Sequence, residues 1–244
     1  MNGTFQDTKF TKLNSTDDED YYIPTTGGVG AGTGTMLSRH QTGYAPYSFY
    51  VYEQVYDRNG NPVQNAFVDR SGPGGKPDGM ITEEDRYCAG DPNPDFYYGI
   101  NVKLQYKNWD FGFNGHGSLG YKVFNDFASK NSTAYVDVNQ PHLSNFATAV
   151  KNTGFVAANT DEQWLSDMFV EDASFFRLDD INLGYTFKEL GNWKGSIRLA
   201  ASCQNVFVLT GFTGLDPEVS GTDGVASSFW PRPRTYSLRL NINF

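Results

Sequence analysis

Toward the end of the chain, hydrophobic and polar residues take strict turns. From Arg234 the sequence reads RTYSLRLNINF, with Tyr236, Leu238, Leu240, Ile242 and Phe244 on one side of a period of two and Thr235, Ser237, Arg239, Asn241 and Asn243 on the other. Successive side chains of a strand point to opposite faces, so the pattern predicts a strand with one apolar and one polar face. The alternation runs to the terminal aromatic. Chain ends fray unless something holds them. The last strand of a membrane β-barrel is held, because it pairs with the first and leaves no open edge.

The same signature recurs upstream. Phe96, Tyr98, Ile100, Val102, Leu104 and Tyr106 alternate with Tyr97, Gly99, Asn101, Lys103, Gln105 and Lys107. After Asn108, the residues Trp109, Phe111, Phe113, Leu119 and Tyr121 alternate with Asp110, Asn114, His116 and Ser118, with Gly115 and Gly117 on the apolar side. This predicts a long hairpin with a tight connection. Ile181, Leu183, Tyr185 and Phe187 alternate with Asp180, Asn182, Gly184 and Thr186. Beyond a turn at 190–192, Ile197, Leu199, Ala201, Cys203, Phe207 and Leu209 alternate with Ser196, Arg198, Ala200, Ser202 and Gln204. The opening residues give a weaker strand in which Phe5 and Phe10 are out of phase, so a bulge or slip is required. Six spanning strands are expected, over about 3–13, 95–107, 109–125, 174–188, 195–211 and 233–244.

The connections are of two kinds. Those near 108 and 191 are tight, while 14–94, 126–172 and 212–232 are long. The first long segment holds the acidic run Asp17-Asp18-Glu19-Asp20 and a Gly-rich stretch from Gly27 to Gly34, both read as solvated loop. It also holds an aromatic strand at 48–57, a turn at 57–60 and a hairpin partner at 62–68. A short helix is expected within 161–170. Short turns on one side and long loops on the other are the rhythm of an outer-membrane barrel. A soluble β-sandwich also alternates, but its strands are about 5–6 residues. Several runs here reach the ~9–11 residues of a tilted membrane strand. Six strands fall short of the ~8 of the smallest closed barrel. The expected fold class is therefore all-β: the C-terminal segment, about six long antiparallel strands, of a large transmembrane β-barrel with long extracellular loops. Residues 1–244 form one partial barrel, and 47–94 an extracellular insert with a hairpin and an acidic loop.

Composition narrows the function. The net charge of −9 makes nucleic acid a poor partner, since phosphate binding needs a basic surface. The mean hydropathy of −0.51 leaves no run long enough for a membrane helix, yet alternating barrel strands keep that average low. The first residues, MNGTFQDTKFTKL, carry no charged and apolar regions of a secretory signal, so the expectation is a cytoplasmic protein or a chain without its true beginning. Cys88 and Cys203 form no metal or redox motif, and His40, His116 and His142 have no metal-ligand spacing. No nucleophile elbow, phosphate loop or dinucleotide fingerprint is present, and an enzyme is not expected. The neighbours Asp179 and Asp180 should point to opposite faces of their strand and share no substrate.

Six motifs, in order, carry a resemblance: SFYVYEQVYD (48–57), GDPNPDF (90–96), YKNWDF (106–111), SFFRLDDINLGYTF (174–187), QNVFVLTGFTGLDPEV (204–219) and WPRPRTYSLRLNINF (230–244). The chain resembles the C-terminal part of the SusC/RagA-type TonB-dependent outer-membrane transporters of Bacteroidetes. That resemblance implies a plugged barrel of about 22 strands in the cell outer membrane. It implies import of large nutrients, oligosaccharides or peptides, with energy relayed by TonB through an N-terminal part this sequence lacks, and a SusD-like lipoprotein as lid. It also makes Tyr236, Leu238, Leu240, Ile242 and Phe244 the signal read by the outer-membrane assembly machinery. A fragment of this extent would not transport by itself. The competing readings are a calcium-binding all-β glycan-adhesion module outside the cell and a passive porin-like barrel.

No cofactor is required, and calcium is the one ion the residues suggest. Calcium loops place oxygen ligands at positions 1, 3, 5, 7, 9 and 12, with glycine at 6. Asp69, Ser71, Asp78, Met80, Thr82 and Asp85 fit those positions around Gly79, provided that Pro73 to Pro77 loops out, as similar proteins carry an uninterrupted loop. The alternative is an acidic turn facing water. Thr82 and Asp85 also make a helix-capping pair, and Ile81 would pack beneath. Among loop aromatics, Tyr47, Tyr50, Trp164, Phe229 and Trp230 either stack on ligand rings or pack the loops together.

Overall fold

The computed structural model describes residues 1–15, 21–26, 34, 36–71, 76–136, 145–190, 193–218, 221–227 and 230–243. One antiparallel sheet of six strands dominates it. In chain order these are β1 (Asn2–Phe5), β2 (Phe96–Tyr106), β3 (Trp109–Leu119), β4 (Phe175–Leu190), β5 (Trp193–Thr210) and β6 (Thr235–Asn243), each paired with the next. All three long connections leave from one end of the sheet. At the other end β2 and β3 are joined through Lys107 and Asn108 alone, with Lys107 in the left-handed region at φ 54°.

Pairing sorts the side chains into two faces. Val102, Phe113, Ile181, Cys203 and Tyr236 fall in one row, and Asn101, Asn114, Asp180, Gln204 and Thr235 in the next. Apolar rows are left bare: Leu104, Trp109, Leu183, Leu199, Leu238 and Leu240 are all exposed. Aromatic rings bracket this bare face at both ends. Near the long connections, Phe5 stacks on Phe96 at 4.2 Å, Tyr98 on Phe176 at 6.2 Å, and Phe176 meets Phe207 at 6.2 Å. Near the tight turns, Trp109 meets Tyr185 at 4.7 Å and Tyr185 meets Phe187 at 4.6 Å. From Tyr98 to Tyr106 is eight residues, ~27 Å of strand at about 3.4 Å each. Tilt reduces that height toward the ~25 Å apolar band of an outer-membrane barrel. Gly115 and Gly117 explain why the upper rings lie flat. A Cβ on Gly115 would meet the Phe176 ring at 2.9 Å, and one on Gly117 would strike the Tyr98 ring.

The buried core lies in the connections. Leu37, Phe49, Val51, Tyr52, Phe124, Leu165, Phe169 and Val225 form one cluster, and Tyr121, Val123, Ala173, Phe175, Phe212 and Ala226 a second. They draw on all three long segments, which thus fold into one cap. Its parts include a four-stranded sheet (Tyr22–Pro24, Ser38–Gln41, Ser48–Val51, Tyr87–Cys88), a hairpin pairing Gln54–Tyr56 with Pro62–Phe67, and a two-stranded ribbon of Lys122–Phe124 with Val170–Asp172. Among the described residues no helix is long and apolar enough to cross a membrane.

Four expectations change. The first strand stops at Phe5 instead of reaching residue 13, because Phe10 leaves the sheet to pack on His40 at 4.8 Å in the cap. The strand expected at 109–125 splits after Leu119, and Gly120 at φ 76° turns Lys122–Phe124 into the cap ribbon. The aromatic strand at 48–57 breaks between Val51 and Gln54, where Tyr52 enters the core. The helix within 161–170 is one turn, Asp161–Trp164, followed by a 3-10 turn at Asp167–Phe169.

Candidate functional site

The polar face of the sheet is where charge collects. Asp110 on β3 and Arg198 on β5 form a two-bond ion pair, Nε to Oδ2 at 3.0 Å and Nη2 to Oδ1 at 2.5 Å. Asn101 donates to Asn114, and Asn182 to Asp180. At the cap end of the same face stands a larger cluster. Arg177 on β4, 3% exposed, donates to Asp216 at 2.6 Å, to Glu218 at 2.5 Å and to Asn205 at 2.7 Å. His116 on β3 sets one ring nitrogen 2.7 Å from Asp179 and the other 2.8 Å from Glu218. An imidazole satisfies two carboxylates as a donor only when both nitrogens carry protons. Arg232 closes the cluster on Glu218 at 3.2 Å.

The cluster ties a loop to a wall. Asp216, Glu218 and Arg232 belong to the connection between β5 and β6, while Arg177 and His116 are register partners in the sheet. The Tyr121 hydroxyl adds a bond to the Pro217 carbonyl at 3.1 Å. Burial by itself would raise the Glu218 carboxyl, but His116, then Arg177 and Arg232, hold it below the usual range.

A bulge makes this arrangement. Leu178 pairs with Gly115 and Asp180 with Asn114, so Asp179 is one residue too many on β4. The expectation that Asp179 and Asp180 face opposite ways is therefore wrong. Asp179 bonds to His116, and Asp180 lies in register with Asn114 on that same polar face. The bulge also shifts phase. Before it, odd positions such as Arg177 face the polar side; after it, odd positions such as Ile181 face the apolar side. Arg177, Asn205, Asp216, Glu218 and Arg232 were not singled out from the sequence. A signal was present: unbroken alternation back from Ile181 puts the Arg177 charge on the lipid face, where it would be costly.

The acidic loop of the cap is closed by Asp85. Its carboxylate is buried and accepts backbone N–H groups from Arg70 at 2.7 Å, Ser71 at 2.9 Å and Thr82 at 2.7 Å. Burial opposes its charge, but these three amides outweigh it and lower its pKa. Thr82 and Asp85 form a capping box on a 3-10 turn at Glu83–Asp85, and Ile81 packs against the core. Asp69 accepts from the amides of Asp78 and Gly79, Asp78 folds back onto the Met80 amide, and Met80 is 61% exposed. Ser71, Thr82 and Asp85 thus join one hydrogen-bonded knot and Asp69 with Asp78 and Gly79 a second, whereas the Met80 side chain is exposed. Residues 72–75 of the expected insertion lie outside the described residues.

The aromatic candidates divide. Tyr50 is 4% exposed, donates to Gln41 at 2.9 Å, and burial pushes its hydroxyl up to about 12. Tyr47 sits edge-on to His40 at 4.8 Å, with a left-handed φ of 59°. Trp164 is half-buried at the end of its turn, and Trp230 is 94% exposed. Phe229 and His142 lie outside the described residues, as does Phe244. The rest of the closing row, Tyr236, Leu238, Leu240 and Ile242, is exposed on the apolar face.

Known proteins place this geometry. No family model matches the chain. The chain is 38% identical to the TonB-dependent receptor SusC of Bacteroides thetaiotaomicron over its whole length, covering 24% of that protein. It is 27% identical to a TonB-dependent receptor of Formosa agariphila over 93% of this chain and 25% of that one. The chain therefore spans about a quarter of the relatives it matches. Among solved structures, the RagAB peptide transporter superposes with a TM-score of 0.69 over 97% of this chain and 25% of its own, at 16% identity. The RagAB peptide importer in its open-open state gives 0.63 over 96% and 25%, at 17% identity.

Proposed function

Because the chain belongs to the SusC/RagA family of TonB-dependent receptors, we propose that it forms wall and cap of an outer-membrane barrel that imports large nutrients, oligosaccharides or peptides, using energy relayed by TonB. The single observation that carries this reading is the two-sided sheet. One face is bare, apolar and bracketed by aromatic rings, as a lipid-facing wall must be. The other is polar, ion-paired and tied to a loop, as a wall facing a water-filled lumen can be. The bare row of Tyr236, Leu238, Leu240 and Ile242 suits recognition by the outer-membrane assembly machinery.

A SusD-like lipoprotein is the proposed partner at the cap. A groove of about 520 Å³ there, walled in part by Phe127, Phe146, Met168 and Leu215, offers apolar surface for a covering protein. The acidic loop is the proposed place for calcium, with Ser71, Thr82 and Asp85 joined on one side and Asp69 closing over the amides of Asp78 and Gly79 on the other, although among the described residues no three acidic, histidine or cysteine side chains are grouped to hold a metal.

The test is uptake by cells of labelled oligosaccharides and peptides through the whole receptor. Uptake should require both TonB and the cap segment 121–173. Unchanged uptake without TonB would favour a passive porin, and release of the chain by salt instead of detergent would remove the membrane reading.

A further inference from the structure

The four-stranded sheet of the cap has two unlike faces. On one, Phe49 and Val51 enter the core with no exposure. The register gathers Tyr22, Pro24, Arg39, Ser48 and Tyr50 on the other. A cavity of about 400 Å³ opens there, with Tyr22, Met36, Arg39, Tyr50, Glu83 and Arg86 in its wall. The Arg39 guanidinium carbon lies 3.2 Å from the centroid of the Tyr50 ring and 4.6 Å from that of Tyr22. A planar guanidinium lying over rings is held in a fixed orientation. Among the described residues its Nε is buried and has no hydrogen-bond partner. A buried donor without an acceptor is costly, so native structures rarely leave one. Arg86 is already committed, donating from Nε and Nη2 to the carbonyls of Tyr50, Met36 and Leu37.

We propose that this cavity is a binding subsite for a uronate sugar unit, whose carboxylate is received by Arg39 and whose ring packs on Tyr22. A planar two-oxygen acceptor matches the guanidinium fork, and the exposed Glu83 is the one carboxylate among the described residues of the wall. Tyr22 is 43% exposed, which leaves an aromatic surface for the apolar face of a sugar. The volume falls in the ~300–1,000 Å³ range of small-ligand sites. The chain carries a net charge of −9, so an acidic sugar gains nothing from the overall field and depends on this local cation. The inference deepens the import reading by naming a kind of oligosaccharide. Binding in detergent involves no transport, so its failure leaves import untouched.

The experiment is titration of the whole receptor in detergent with digalacturonate and with its dimethyl ester, which keeps the rings but removes the charge. Digalacturonate should bind at least tenfold tighter. Arg39→Gln should abolish the difference, with near-ultraviolet circular dichroism confirming an intact cap. Arg39→Lys, which keeps charge but not the fork, should restore only part of it. Glu83→Gln should leave binding equal or tighter. Equal binding of acid and ester, an unaffected Arg39→Gln, or loss of binding in Glu83→Gln overturns the proposal. So does a tripeptide with a free C-terminus that displaces digalacturonate at lower concentration than its own.

Discussion

Asp110 and Arg198 meet across a strand to which neither belongs. Their two-bond ion pair runs from β3 to β5 directly over Gly184 of β4, and a Cβ at that position would collide with both partners. Gly184→Ala should therefore break the pair without touching either charge. Charge-assisted pairs that are mostly covered couple by about 0.5–3 kcal/mol. A double-mutant cycle of Gly184→Ala with Arg198→Ala, read by urea unfolding in detergent, should show the two losses failing to add.

The loop latch predicts a larger effect. Arg177→Met would leave the buried Asp216 and the partly buried Glu218 without their guanidinium, with Arg232 beside both and His116 on Glu218 alone. Removing one partner of a buried pair costs about 3–5 kcal/mol. Cleavage by a protease within 213–218 should rise sharply while the pairing of β3 with β4 persists.

The same latch responds to acid. The folded Glu218 carboxyl lies below its ordinary value, about 4.3. Its stabilisation is then complete above that ordinary value and is lost as pH falls through the lower folded one. Protease sensitivity of 213–218 should be flat from neutral pH down to about 4.3 and climb below it. In Glu218→Gln that acid step should vanish.

The two faces of the sheet should tolerate charge unequally. Ile181 lies midway between the aromatic belts on the apolar face, and Ser202 on the polar one. Arginine on the lipid face near the midplane costs about 2–4 kcal/mol. Ile181→Arg should lower unfolding stability in lipid vesicles by that amount, and Ser202→Arg by little. Equal losses would contradict the assignment of faces.

The acidic loop gives a test of both Asp85 and calcium. Asp85→Asn replaces an oxygen that accepts backbone N–H groups by a donor, and mutations of this kind cost about 1–3 kcal/mol. If the loop holds calcium, chelation should lower the melting temperature of the wild-type cap and leave Asp85→Asn unchanged.

Much of this was legible in the sequence. Period-two alternation alone placed β2, β5, β6 and the start of β3 within a few residues and assigned their faces, because half the side chains of each strand must meet lipid and half must not. The same chemistry forced the aromatic belts and the order of tight and long connections. Local pattern could not show where a strand stops being a wall. Phe10, Tyr52 and Val123 leave their runs because distant cap residues offer them packing partners, and no neighbour in sequence records that. Nor could it show the extra residue at Asp179, which turns the phase of β4 and brings Arg177 to His116. That cluster joins residues as far apart as 116 and 218, and its energy exists only once three strands and a loop have met. The sequence by itself determined which surface faces lipid; tertiary structure decided which charges face one another, because pairing depends on register and register on the whole sheet.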